Sequence, residues 1–126
     1  MTTGVDRAYT AIGALSGFVS VAAGAFAAHG LRSRLTPEML QVFETGARYQ
    51  MYHALALLVA ALLIAGDSSR LAVWAARLFL AGTVLFSGSL YALALTGRVA
   101  LGAITPFGGV AFLAGWLCLA AAAWRR

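Results

Sequence analysis

The sequence predicts an all-α integral membrane protein: a four-transmembrane-helix up-down bundle, with a short amphipathic interfacial helix between helices 1 and 2. Three observations predict it. Hydrophobic residues make up 62% of the chain and charged ones 10%, against about 25% charged in an ordinary soluble domain. A chain of 126 residues cannot hide that much apolar surface in a water-soluble core, so lipid is the expected solvent. Four apolar stretches are each long enough to cross about 30 Å of hydrocarbon at about 1.5 Å per residue, and turn residues separate the last three. The length suits a single membrane domain, 1–126.

The first span is expected at about 8–28. Ala25-Phe26-Ala27 has the small-x-small form of a signal-peptide cleavage site. However, the apolar run before it is long for a signal core and Asp6 cancels Arg7 ahead of it, so a retained helix is predicted. The only long polar connection follows, from Gly30 to Gly46. Within it, Thr36-Pro37-Glu38 reads as an N-cap, a proline at the first helical position and an early acid. Met39, Leu40, Val42 and Phe43 then give the segment about 36–45 an apolar face. It either lies along the interface and bends near Gly46, the arrangement favoured here, or runs straight into the second span. The remaining spans are expected at about 47–65, 71–95 and 104–124, divided by Gly66-Asp67-Ser68-Ser69 and by Thr96-Gly97-Arg98.

All nine basic residues are arginine, and with four acids they give a net charge of +5. They fall singly or in pairs between apolar runs, with no basic face and no interleaved aromatics. They therefore read as interface anchors and topology signals, and nucleic acid is not an expected partner; the lipid bilayer is. Arg7, Arg70, Arg77, Arg125 and Arg126 belong to the side holding both termini, and Arg32, Arg34, Arg48 and Arg98 to the other. This slight excess favours cytoplasmic termini, and it is small enough to suit a chain that inserts both ways. Arg77 is expected to snorkel with Arg70 near Trp74 and Trp124. The single cysteine, Cys118, lies mid-helix between leucines as a small hydrophobe.

Gly13 and Gly17 form a small-xxx-small pair, and Ser16, Ser20, Gly24 and Ala28 continue a row at four-residue spacing. Such rows let helix backbones approach closely in lipid, either inside the bundle or across a homo-oligomer. Gly82, Gly88, Gly108, Gly109 and Gly115 add contact points.

Polar groups at membrane depth normally face protein or water, and each is a functional hypothesis. Counting from the Gly66–Arg70 turn of an up-down bundle, Arg48 comes level with Gly88 and His53 with Thr83. His29, Glu44, Arg48, Tyr49, Gln50, Ser87, Ser89, Tyr91 and Thr105 then gather at the end holding the long loop. Tyr49, Tyr52 and His53 share one face at three- and four-residue spacings, Glu44 and Arg48 can pair if the helix continues through Gly46, and Thr83, Ser87 and Tyr91 step by four. Two such stripes on neighbouring helices enclose a wet pocket or form a structural hydrogen-bond network, since serine and threonine commonly bond their own helix carbonyls.

The two histidines do not make a metal or haem site. His29 ends the first span near the surface and can cap its dipole, whereas His53 lies about 10 Å deeper. No nearby cysteine or intramembrane carboxylate completes a zinc set. No cofactor is implied. The sequence carries no nucleophile-base-acid set, phosphate loop or metal signature, which makes an enzyme the weakest reading. No carboxylate is placed deep in any span, which disfavours a small proton-coupled antiporter.

Four blocks resemble a known family. They are Gly24-Ala25-Phe26-Ala27-Ala28-His29-Gly30-Leu31; Thr45-Gly46-Ala47-Arg48-Tyr49-Gln50-Met51-Tyr52-His53-Ala54-Leu55-Ala56; Ser87-Gly88-Ser89-Leu90-Tyr91 with Leu95-Thr96-Gly97; and Ile104-Thr105-Pro106-Phe107-Gly108-Gly109. Together they look like the hallmark segments of the YgdD/YwdK-type family. This is a domain-of-unknown-function family, number 423, of small bacterial membrane proteins with relatives in animals. The resemblance covers essentially the whole chain. It implies a four-helix fold and a multi-pass home in the bacterial cytoplasmic (inner) membrane, and brings no activity with it. The residues themselves favour a non-enzymatic protein that binds a lipid or small amphipathic ligand through His29, Arg48, Tyr49, Gln50, His53, Ser87 and Tyr91, with Arg48 holding an anionic head group. The rivals are an accessory subunit of a membrane complex and a small dimeric channel or transporter.

Overall fold

The computed structural model describes residues 4–67 and 69–126. Among them, four helices are long and apolar enough to cross a membrane: α1 (Val5–Leu31), α2 (Pro37–Asp67), α3 (Arg70–Thr96) and α4 (Val99–Trp124). Local chemistry sets their ends. Thr36 Oγ1 accepts from the Met39 amide at 3.2 Å, and Pro37 opens α2 where its missing N–H has no partner to lose. Ser69 caps α3, accepting from the Ala72 amide at 3.3 Å, while its own amide donates to Asp67 Oδ1 at 3.2 Å; Ser68, also part of the expected turn, lies outside the described residues. Gly97, at φ +74°, supplies the left-handed residue that closes α3, its amide bonding Leu93 O at 2.8 Å.

α2 is longer than the expected second span. Its 31 residues extend about 46 Å and run unbroken through Gly46, so the segment 36–45 is not a separate interfacial helix. Its apolar face is occupied by protein: Phe43 and Leu40 pack with Ala27 and Leu31 of α1 and with Ala94 and Tyr91 of α3. Gly46 serves close approach rather than bending. A Cβ there would meet the Tyr91 ring at 3.0 Å and the Ser87 carbonyl oxygen at 3.3 Å. α1 also exceeds its expected limits, ending in a π-helical turn at Ala27–Leu31.

Each helix packs chiefly on the next, α1 on α2, α2 on α3 and α3 on α4, whereas the backbones of α2 and α4 come close at few points. At the end holding Asp67 the core is built from small residues, with Ala56, Ala60, Ala72, Ala75, Ala76 and Ala122 around Leu57, Ile64 and Phe79. Part of the α1 row is spent within the chain. Gly13 faces Leu58 and the Ala54 carbonyl, Ser16 and Ser20 hydrogen-bond to α2, and Gly24 stays open. In the α3–α4 seam, Gly82, Gly108 and Gly115 are close contacts, but Gly88 has nothing within 4 Å and Gly109 meets only ordinary van der Waals contact.

Charges collect at the ends. Arg126 and Asp67 form the one ion pair within 4 Å among the described residues, at 3.7 Å and substantially exposed, a geometry of small energetic consequence. The Arg77 guanidinium lies over the Trp74 ring, 5.1 Å from its centroid, as a snorkelling side chain beside an interfacial aromatic does.

Candidate functional site

Successive helix residues point about 100° apart, and α2 has neighbours on several sides. Its polar residues therefore diverge, and the seven predicted site residues occupy four places.

The first place is a hydrogen-bond network across α1, α2 and α3. Tyr91 donates its hydroxyl to Gln50 Oε1 at 2.6 Å, and Gln50 Nε2 donates to Ser16 Oγ at 3.1 Å. Ser87 Oγ donates to the Gly46 carbonyl at 2.7 Å, and Ser20 Oγ to the Ala47 carbonyl at 2.6 Å. Gln50 and Ser87 are buried. These bonds link Tyr91, Gln50 and Ser16 in one chain and hold Ser87 separately on the Gly46 carbonyl, with each hydroxyl or amide spent on protein. Thr83 departs from the expected stripe. It opens a π-helical turn, Thr83–Ser87, that changes the register, and its hydroxyl bonds the Phe79 carbonyl at 2.8 Å. Ser89 and Thr105 share a 2.6 Å bond that ties α3 to α4. Interhelical bonds of this kind in membranes average about 0.6 kcal/mol. A Tyr91→Phe/Gln50→Leu double-mutant cycle, read by denaturation in mixed micelles, should give a coupling of about 0.5–1.5 kcal/mol; zero coupling would disconnect the pair.

The second place is an aromatic groove between α2 and α4. His53 is 4% exposed and stacks on Phe112 with ring centroids 3.4 Å apart and planes at 4°. Trp116 Nε1 donates to His53 Nε2 at 3.1 Å, and His53 Nδ1 lies 2.7 Å from the Tyr49 carbonyl oxygen. An indole N–H only donates and a carbonyl only accepts, so this imidazole is neutral with its proton on Nδ1. Tyr49 extends the cluster to Phe86, centroids 4.9 Å apart, and Phe86 to Phe112 at 5.4 Å. Around them opens a cavity of about 560 Å³, lined also by Tyr52, Pro106, Gly109 and Leu113. It lies towards the end holding the long loop.

Arg48 is the third place. It is exposed and lines an outward hollow of about 370 Å³ with Glu44, Ser20, Gly24 and Tyr52. α2 does continue through Gly46, yet Glu44 and Arg48 are not ion-paired among the described residues. His29 is the fourth, exposed in the π-helical turn that ends α1. No group of three or more His, Cys, Asp or Glu among the described residues is placed to hold a metal ion.

Sequence reasoning missed Phe86, Phe112 and Trp116. The usable signal was a mid-span tryptophan four residues after a phenylalanine, where membrane tryptophans favour the interface. It also took Asp6 only as a counter-charge to Arg7. Asp6 is buried in the first turn of α1, and its Oδ1 has no hydrogen-bond partner among the described residues.

Comparison with known proteins agrees with the resemblance of the sequence blocks. Residues 23–109 match the family model described as "Protein of unknown function (DUF423)", a range that contains all seven predicted site residues but ends before Phe112 and Trp116. The chain is similar to a UPF0382 membrane protein of Staphylococcus epidermidis, 49% identical over 113 residues, 90% of this chain and 92% of that protein. It is also similar to the UPF0382 membrane protein YwdK of Bacillus subtilis, 46% identical over 120 residues, 93% of this chain and 96% of the relative. A UPF0382 membrane protein of Haemophilus influenzae is 47% identical over 112 residues, covering 89% and 90%. No solved structure matches.

Proposed function

The chain belongs to the DUF423 family of proteins of unknown function, and from its own geometry we propose a non-catalytic membrane protein that holds one lipid or lipid-like amphipathic molecule in the groove between α2 and α4. The carrying observation is the aromatic cavity of about 560 Å³, within the range of small-molecule sites. It exists because α3 holds both α2 and α4 closely while those two remain apart. Its rim carries two phenols, Tyr49 and Tyr52, whose hydroxyls have no hydrogen-bond partner among the described residues. At hydrocarbon depth an unpaired hydroxyl is unfavourable, and an ester or carbonyl oxygen of a bound amphiphile satisfies it.

Beyond Tyr52 and Trp116 the groove continues as a trough of about 420 Å³ lined by Leu55, Ala56, Val59 and Leu119. Tyr49 to Val59 spans about 15 Å of helix, the depth of hydrocarbon in one leaflet, which suits a chain lying along the seam. On this reading the protein crosses a bacterial cytoplasmic membrane four times with both termini inside, an orientation supported by the small arginine excess at that end.

Native mass spectrometry of detergent-extracted protein provides the test. Val110→Trp, from an exposed position lining the groove, should fill it while leaving His53 and Trp116 themselves unchanged. We expect one lipid-mass adduct per wild-type chain and at least about a tenfold loss of it in the variant. No adduct on wild type, or one indifferent to the tryptophan, would refute lipid holding at this place.

A further inference from the structure

We propose that the head of the bound molecule is a zwitterionic aminophospholipid, its phosphate on Arg48 and its primary ammonium on Glu44; this deepens, and rests on, the lipid-holding groove argued above. Glu44 and Arg48 stand one turn apart on α2, the acid on the N-terminal side, a spacing that favours an ion pair. Nevertheless they are not paired with each other, and both line the same hollow of about 370 Å³. Two opposite charges held open beside hydrocarbon call for a molecule that carries both. Depth agrees. α2 exceeds a hydrocarbon core of about 30 Å by roughly 8 Å at each end when centred. Glu44 lies about 10 Å from the start of α2 and Arg48 about 16 Å, and the long arginine side chain reaches back towards the head groups.

Tyr52 joins this hollow to the rest. It borders the charged hollow, the aromatic groove and the apolar trough alike. A molecule with its head at Glu44 and Arg48 therefore passes Tyr52 and lays a chain towards Leu55 and Val59, about 16 and 22 Å below Glu44 along the helix. Gly24 keeps the hollow open, since nothing lies within 4 Å of where its Cβ would be. An anionic lipid such as phosphatidylglycerol brings no cation for Glu44, and its charge is repelled there. A quaternary ammonium has no N–H to donate to the carboxylate, which disfavours phosphatidylcholine.

The experiment offers wild-type protein equimolar dioleoyl phosphatidylethanolamine, phosphatidylglycerol and phosphatidylcholine in detergent and reads the adducts by native mass spectrometry. Phosphatidylethanolamine should be retained about tenfold over either competitor. Glu44→Gln should abolish its preference over phosphatidylglycerol, Arg48→Gln should lower retention of all three, and Gly24→Leu should do the same by filling the hollow. Glu44, Arg48 and Gly24 are not core positions, so these variants should fold. Equal or better retention of phosphatidylglycerol by wild type, or an unchanged preference in Glu44→Gln, overturns the head-group assignment. If lipid is then still displaced by Val110→Trp, the groove survives and only its head group is wrong; if wild type retains no lipid, both fail together.

Discussion

Gly108→Ala should destabilise the protein by more than about 3 kcal/mol, at or beyond the upper end of what overpacking a membrane or soluble core usually costs. The added methyl would stand 2.7 Å from Phe86 Cβ and 2.8 Å from Phe86 Cα, so main chain as well as a side chain obstructs it. Phe86 cannot yield easily. It belongs to the π-helical turn Thr83–Ser87, and Ser87 beside it is bonded to the Gly46 carbonyl on the opposite side. α3 is thus pinched between glycines of α2 and α4 at one level, and a methyl on either side must move both contacts. Gly115→Ala should cost less, about 1–3 kcal/mol, because its nearest neighbours are side-chain carbons, the Phe79 ring at 2.8 Å and Leu78 Cβ at 3.4 Å, rather than main chain. Gly88→Ala is the control. With nothing within 4 Å, it should be neutral or gain up to about 1 kcal/mol of helix propensity. Equilibrium denaturation in mixed micelles, followed by circular dichroism, ranks the three. A Gly108→Ala variant within about 0.5 kcal/mol of Gly88→Ala would show that α3 and α4 do not meet at this glycine.

The four helices were legible because lipid imposes a simple requirement, long apolar runs divided by turns such as those at Ser69 and Gly97. The start of the second at Pro37 was not, since its expected start was about residue 47. Helix depth was legible too. The heights counted from the Gly66–Arg70 turn differ by less than one helical turn from the pairing of Ser87 with Gly46. Rotation about the helix axes was not, because apolar composition on every face leaves hydrophobic periodicity with little contrast. Arg48, Tyr49 and Gln50 are adjacent in sequence and were expected in one cluster, whereas the 100° step between residues sends them to an outward hollow, to the aromatic groove beside Phe86 and to the α1–α3 side. The segment 36–45 shows the same blindness. Its apolar face suits a membrane surface as well as it suits Ala27, Leu31 and Ala94, and only the fold distinguishes the two. The π-helical turn at Thr83–Ser87 has no sequence signature, so the loss of Thr83 from the stripe was hidden.

His53→Ala should be the most damaging single change on the α2–α4 side, at about 3–5 kcal/mol, the range for deleting a buried aromatic side chain. α2 and α4 have little other contact, so the imidazole does most of the joining. To α4 it presents a stacked face at 3.4 Å between centroids from Phe112 and an acceptor for the Trp116 indole at 3.1 Å; within α2 its Nδ1–H donates to the Tyr49 carbonyl at 2.7 Å. Alanine removes all three and leaves the indole N–H without its acceptor, which is itself unfavourable. His53→Phe keeps a ring against Phe112 and should lose less. Trp116→Phe deletes the bond to Nε2 together with part of the indole's packing on Phe79, keeps a ring in place, and should cost less than His53→Ala, about 1–2 kcal/mol. That order separates stacking from hydrogen bonding, because a helix contact held mainly by polar groups would make His53→Phe as harmful as His53→Ala. Nitrogen-15 spectra of imidazole-labelled protein supply a second readout. In wild type, the Nε2 resonance should fall where an unprotonated, hydrogen-bond-accepting nitrogen appears, and in Trp116→Phe it should move. A protonated Nε2 in the wild-type protein would place two N–H donors against one another and exclude the Trp116–His53 bond.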